Sequence, residues 1–260
     1  MNYNPGFEIE PVVGSLDFRY GENCFGPLVE KRKLDDIRKS LLDPDCEGPE
    51  TVYAIAMDVG KTEHKSILQE RMLLFGAVTY AAGRLGHEPI RSQGHVHRIS
   101  DHSGWSPPEV YEIWTGSAVI YMQEFAEDYP GRCFAVYANA GDVVVVPPDW
   151  AHATISADPD TTLTFGAWCD RDYGFLYDKV RAHKGLAWYP LLDNAGKLSW
   201  QFNKLYQQSN LLEKSPNDYA QWFGFEKRIP IYKQFEKDPE RFQFVSMPGL
   251  KRKVWEHYTP

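Results

Sequence analysis

Between Thr51 and about residue 190 the apolar positions come in short runs rich in β-branched and aromatic residues: TVYAIAMDV, MLLFGAVTYAAG, EVYEIWTG, GSAVIYMQEF, CFAVYANA, DVVVVPP and TLTFGAWC. Turn signals such as NAGD, PPDW and ADPD separate them at close intervals. That texture predicts an all-β antiparallel barrel or sandwich, not alternating strands and helices. The first 50 residues differ: turn residues surround KRKLDDIRKSLLD, where Leu34, Ile37 and Leu41 are spaced for one peripheral amphipathic helix. After Trp200 helical signals return. SPNDYAQWFGF offers Ser215 as an N-cap with Pro216 at the first helical position, and PIYKQFEKDPERF predicts a second short helix. The expected organisation is an arm with a helix (1–50), a β barrel (51–190) and a helical C-terminal extension packed on it (191–260).

Composition narrows the function classes. A chain of 260 residues with 43% hydrophobic content can bury its own core. A net charge of -8 without a basic stripe argues against nucleic acid as partner, because phosphate backbones need clustered Lys and Arg. No apolar run approaches the roughly 20 residues of a spanning helix, and MNYNPGFEIEPVVG has neither the charged nor the apolar region of a signal peptide. The expectation is a cytoplasmic protein with no membrane partner. Cys24, Cys46, Cys133 and Cys169 are far apart and form no CxxC pair, so reduced thiols are expected.

The candidate chemistry lies in GHVHRISDHSGWSPPEVYEIWTG, from Gly94 to Gly116. On a strand, residues i and i+2 share a face, so His95 and His97 present two imidazoles about 7 Å apart at the backbone, a pincer for one divalent cation. Glu109 and Tyr111 share a face of the next strand, and GDVVVVPPDWAH places His152 beyond a strand and a Pro-Pro turn. Three imidazoles and a carboxylate suit one divalent transition metal per chain: iron, manganese, nickel or zinc. An HxH pair by itself is more often structural; the ordered Glu and third His reverse those odds. Glu112 competes with Glu109 but lies on the opposite strand face. His102 sits in a loop, and His64, His87, His183 and His257 carry no spacing signal.

These residues resemble the cupin superfamily. His95, His97, Glu109 and Gly116 follow its first motif, HxH…Ex(6)G, while Gly141, Pro147 and His152 follow its second, Gx(5)Px(4)H. Two departures stand out: eleven residues separate His97 from Glu109 where cupins have three to six, and Ser156 replaces an Asn. The turn-rich insert RISDHSGWSPP is expected to loop out and leave the strands in register. Within the superfamily, SQGHVH, EVYEIWTG, VPPDWAH and DYG are similar to the signatures TKGHFH, EVYxxLxG, VPPxWAH and HDYG of the cupin-type glucose-6-phosphate isomerases, and EKRKLDDIRKSLLD resembles their RRLSDM region. The similarity spans roughly residues 28 to 190. It implies a double-stranded β-helix (jelly-roll) barrel, often a homodimer, that binds a metal and interconverts an aldose phosphate with its ketose partner.

The implied reaction on an open-chain sugar needs a Lewis acid at the C1 and C2 oxygens and a base that moves a proton between those carbons. Glu109 is the candidate base and Tyr111 the residue that orients a hydroxyl; a hydride shift would need no base. The family places the phosphate near a Thr before GHFH, the Gly there and the HDYG unit, which correspond to Ser92, Gly94, Tyr173 and Gly174. The family's His before DYG is Arg171 here, a permanent cation expected to clamp a phosphate. Asp149, where the family has Tyr, works against an anion, so another sugar stays open. A cupin dioxygenase and a non-catalytic sugar-binding module are the other classes. An anaerobic assay with fructose 6-phosphate separates them, since isomerisation needs no oxygen.

Overall fold

The computed structural model describes residues 3–260. Two sheets, antiparallel apart from one strand pair, face each other across the expected barrel. The first sheet has six strands, ordered in space Val143–Val146, Glu109–Thr115, Leu163–Asp170, Leu73–Tyr80, Thr51–Met57 and Glu30–Lys33. The second has four: Ala151–Ser156, Ser117–Gln123, Cys133–Asn139 and Leu211–Lys214, the last pairing in parallel.

The strands read as continuous apolar runs because both faces of both sheets are covered. Between the sheets lies an interior core containing Ile113, Ile120, Met122, Phe134, Val144 and Phe165. The outer face of the six-stranded sheet, with Phe75, Val110, Trp114 and Trp168, is packed under the C-terminal extension through Phe223, Tyr232, Phe235, Phe242 and Tyr258. The outer face of the four-stranded sheet lies under the Trp188–Leu192 and Leu198–Phe202 hairpin. Trp168 is fully buried among these aromatics, 4.6 Å from the Phe235 ring; truncating it to Ala is expected to cost about 3–5 kcal/mol.

Several local expectations change. The helix expected over KRKLDDIRKSLLD begins only at Leu34, because Glu30–Lys33 is drawn into the six-stranded sheet opposite Thr51–Ile55. Leu34, Ile37 and Leu41 do bury on one side. Ser215 is not an N-cap: the helix starts at Ala220, where Asp218 Oδ1 accepts the Ala220 N–H at 3.1 Å. The second helix, Ile231–Lys237, forms as expected and stops before Pro239, where a 3₁₀ turn takes over. The insert of residues 98–108 contains no strand. Among the described residues all four cysteines are free, and no helix is long and apolar enough to cross a membrane.

Candidate active site

The sheet pairings bring the four motif residues together. Gly94 turns with φ +87, a conformation L side chains disfavour, and a Cβ there would lie 2.8 Å from Leu186. That turn delivers His95 into a two-way backbone bridge with His152, at 3.0 and 2.9 Å, and Val96–His97 into a pair with Phe175–Leu176. Glu109 and Tyr111 come from the facing six-stranded sheet, Tyr111 opposite Val144 and Ala167. Side-chain donor atoms of His95, His97, Glu109 and His152 all lie within 4.8 Å of one another.

The donor chemistry fits a cation. His97 Nδ1 donates to the Pro107 carbonyl at 2.8 Å and His152 Nδ1 to the Trp150 carbonyl at 3.1 Å. Each bond fixes the tautomer and leaves the Nε2 lone pair facing inward, as metal-binding imidazoles require. Both Nε2 atoms lie 3.3 Å from Glu109 Oε2, and His95 Nε2 is buried with no hydrogen-bond partner. Two inward lone pairs and a third, unpartnered imidazole nitrogen beside a carboxylate are satisfied by one shared positive charge. Burial pushes the His95 imidazole well below its usual pKa, so it is neutral. Burial would raise the Glu109 carboxyl, but the imidazoles of His152 and His97 beside it outweigh that effect and hold the group well below the usual carboxylate range. Both residues are thus in the ligand form.

Tyr111 Oη donates to Glu109 Oε2 at 2.7 Å. The Cys169 thiol reaches Glu109 Oε1 at 3.4 Å, a contact that the sequence, where Cys169 is expected only to be a reduced thiol, does not announce. A cavity of about 70 Å³ opens from this cluster and is lined by Tyr53, Tyr80, Ser92, Gln93, Thr154 and Tyr177 as well as His95, Glu109 and Tyr111. A larger one, about 1100 Å³, lies on the outer side between the N-terminal arm and the C-terminal extension and includes none of the histidines. The chemistry belongs to the smaller.

Of the residues expected to hold phosphate, Ser92 lines the cavity and accepts the Thr154 N–H at 3.1 Å. Gly94 serves the turn. Tyr173 packs at a tilt against Phe175, 5.5 Å between centroids, and the Gly174 carbonyl accepts the Arg98 N–H at 2.8 Å. Arg171 departs from expectation: its guanidinium faces away from the cavity, bound to both Asp58 oxygens at 2.8 and 2.7 Å and to the Leu73 carbonyl at 3.0 Å. Neither neighbouring aspartate is its partner, since Asp172 binds Arg98. Asp149 takes part in a turn with φ +67 and does not line the cavity. Phe175 and Tyr177, absent from the sequence-based candidates, pack 4.6 and 6.0 Å from the His95 ring. Their signal was present: Tyr173, Phe175 and Tyr177 alternate at the period of a strand face.

The glucose-6-phosphate isomerase family model matches residues 38–208, a segment that contains every residue of the cluster. The chain belongs to the glucose-6-phosphate isomerase family. It is 28% identical over 186 residues to a glucose-6-phosphate isomerase of Thermococcus litoralis, covering 68% of this chain and 87% of that protein. To the glucose-6-phosphate isomerase of Pyrococcus horikoshii it is 26% identical over 175 residues, covering 65% and 86%. That of Sinorhizobium medicae is 26% identical over 156 residues, covering 60% and 66%.

Proposed function

We propose that this chain is a metal-dependent glucose-6-phosphate isomerase that interconverts glucose 6-phosphate and fructose 6-phosphate. The observation that carries the reading is that the family match spans four donors whose lone pairs converge on one point at the floor of a cavity. His95, His97, Glu109 and His152 would hold one divalent cation, drawn from iron, manganese, nickel and zinc. When bound, it supplies Lewis-acid polarisation of the sugar's C1 and C2 oxygens.

The chain's own residues supply the rest. Glu109 Oε2 accepts the Tyr111 hydroxyl and faces the two imidazoles with which it would hold the cation, whereas Oε1 meets only a weak thiol donor, so Oε1 is the atom that accepts and returns the proton shuttled between C1 and C2. Tyr111 fixes the plane of that carboxylate. Phe165, Phe175 and Tyr80 wall the cavity against water, which keeps the shuttled proton from exchanging freely. Ser92 lines the cavity, whereas Gly94, Tyr173 and Gly174 act only through the turn and the segment that hold His95 and Phe175 beside it. A homodimer in the cytoplasm completes the proposal, the former read by light scattering.

The test is an anaerobic assay of metal-loaded protein with fructose 6-phosphate, glucose 6-phosphate being detected by a coupled dehydrogenase. Conversion that disappears with a chelator and returns with one of the four metals is expected. A metal-loaded protein that leaves fructose 6-phosphate unchanged overturns the reading.

A further inference from the structure

With Arg171 bound to Asp58, it is not free to meet the phosphate of a sugar in this cavity. Two more arginines near the site are committed. Arg91 is buried on Glu88, the Ser92 carbonyl and the Ser40 carbonyl, and Arg98 is bound to Asp172. Arg32 has only Glu30 as an ion-pair partner, a carboxylate whose own side chain is 66% exposed. Arg181 has no ion-pair partner among the described residues.

Both of the less committed cations converge on one cavity wall. Arg32 lies on the edge strand of the six-stranded sheet directly opposite Tyr53, and residues opposed on antiparallel strands share a face. Tyr53 lines the cavity, so Arg32 is on the cavity face too, within charge range of the Tyr53 and Tyr177 hydroxyls. Its Nε is buried without a hydrogen-bond partner. Arg181 approaches Tyr177 from the Asp178–Ala182 helix, its guanidinium 4.9 Å over that ring, while Arg181 Nε donates to Gln93 Oε1 at 2.9 Å. Gln93 and Tyr177 both line the cavity.

We propose that Arg32 and Arg181, flanking Tyr177, form the anion subsite that takes the phosphate of the sugar. The inference rests on the isomerase reading for the identity of the ligand, not for the placement of the cations. The span is right for the task. The Tyr177 ring lies 6.0 Å from the His95 ring and 4.9 Å from the Arg181 guanidinium, legs that a six-carbon chain with a terminal phosphate bridges from the metal cluster. Two planar forks on one side of the cavity match a phosphate dianion in charge and in donor geometry. Glu30 is the opposing charge: it must yield Arg32 Nη2 as phosphate enters, and its exposure lets it swing into water. Arg32 precedes residue 38, where the family-model match begins, so part of this subsite would belong to the arm whose KRKLDD resembles the family's RRLSDM.

The experiment measures calorimetric binding of glucitol 6-phosphate, an open-chain polyol phosphate with no carbonyl to isomerise, and of glucitol itself, to the metal-loaded protein. Arg32→Gln and Arg181→Gln are each expected to weaken the phosphate ligand at least tenfold, the double variant more. Metal content, Tm and glucitol binding are expected to hold, and KM for fructose 6-phosphate to rise by more than kcat falls. Arg181→Lys should recover part of the loss, which a packing defect would not. Affinity and KM within twofold of the parent in the double variant overturn the subsite, as does a parent protein that binds glucitol 6-phosphate no better than glucitol. A parent that binds the phosphate and loses it on substitution, yet turns over no sugar, leaves the subsite standing and removes the isomerase reading instead.

Discussion

Glu109 and Glu112 lie on the same strand, both buried, and face opposite ways. Glu109 points between the sheets into three imidazoles; Glu112 points outward under the C-terminal extension, accepting bonds from the Ile231 N–H at 2.8 Å, Trp114 Nε1 at 3.1 Å and Tyr3 Oη at 3.1 Å. Burial raises both carboxyls. Around Glu109, the neighbouring imidazoles reverse the effect and the group is held well down; around Glu112, three neutral donors only reduce it and the group is pushed up to about 8. Charge in the surroundings, not depth, decides which carboxylate is ready for chemistry. The outer one instead joins the arm, the barrel and the first turn of the Ile231–Lys237 helix.

The largest expected effect comes from making the inner face resemble the outer one. Replacing His95 and His97 with Ala should take metal from about one ion per chain to background, and turnover with it, while far-ultraviolet circular dichroism keeps its β signature. Retained metal in that double variant would remove the site. Next comes Glu109→Gln, which keeps the shape but cannot accept a proton: kcat should fall by roughly 10²–10⁴ with KM within a few-fold.

Glu112→Gln tests the outer face through stability. The folded-state pKa is above that of the unfolded chain, so the stability linked to this proton is complete below about pH 4.5 and is lost as pH climbs through about 8. Urea unfolding of the parent should therefore weaken from pH 5 to pH 9 by more than that of Glu112→Gln, by at most about 4 kcal/mol. Parallel pH profiles would show that Glu112 does not titrate in this range. The smallest effect belongs to a half-exposed pair. Arg171→Ala and Asp58→Ala should each cost about 1 kcal/mol or less, with the double variant little worse than either, and neither should alter KM. A KM change confined to Arg171→Ala would return that residue to phosphate binding.

The legible parts of this chain were those with local signatures. Seven apolar runs became seven strands, and ligand spacing located the cluster, since HxH on one strand and ExY on another need only the two-residue period. The unread parts depend on partners far along the chain. Nothing near Arg171 announces Asp58, and nothing near Arg32 announces Tyr53; both contacts arise from sheet pairing. The strand Ala151–Ser156 was hidden inside a motif read for its histidine, and Trp188–Leu192 by a proline in its centre. Glu112 was placed on the correct face, but its role requires Ile231, which belongs to the extension.

That extension also sets an order of events when the chain is made. The six-stranded sheet is complete once Asp170 is available, but the aromatic cover over Phe75 and Trp168 continues to Tyr258. At about 5–20 residues per second, a nascent barrel would wait on the order of ten seconds with a greasy aromatic wall open to solvent. A chaperone that grips aromatic surface would find its target in that interval, and release it once Tyr232 and Phe235 close over the wall.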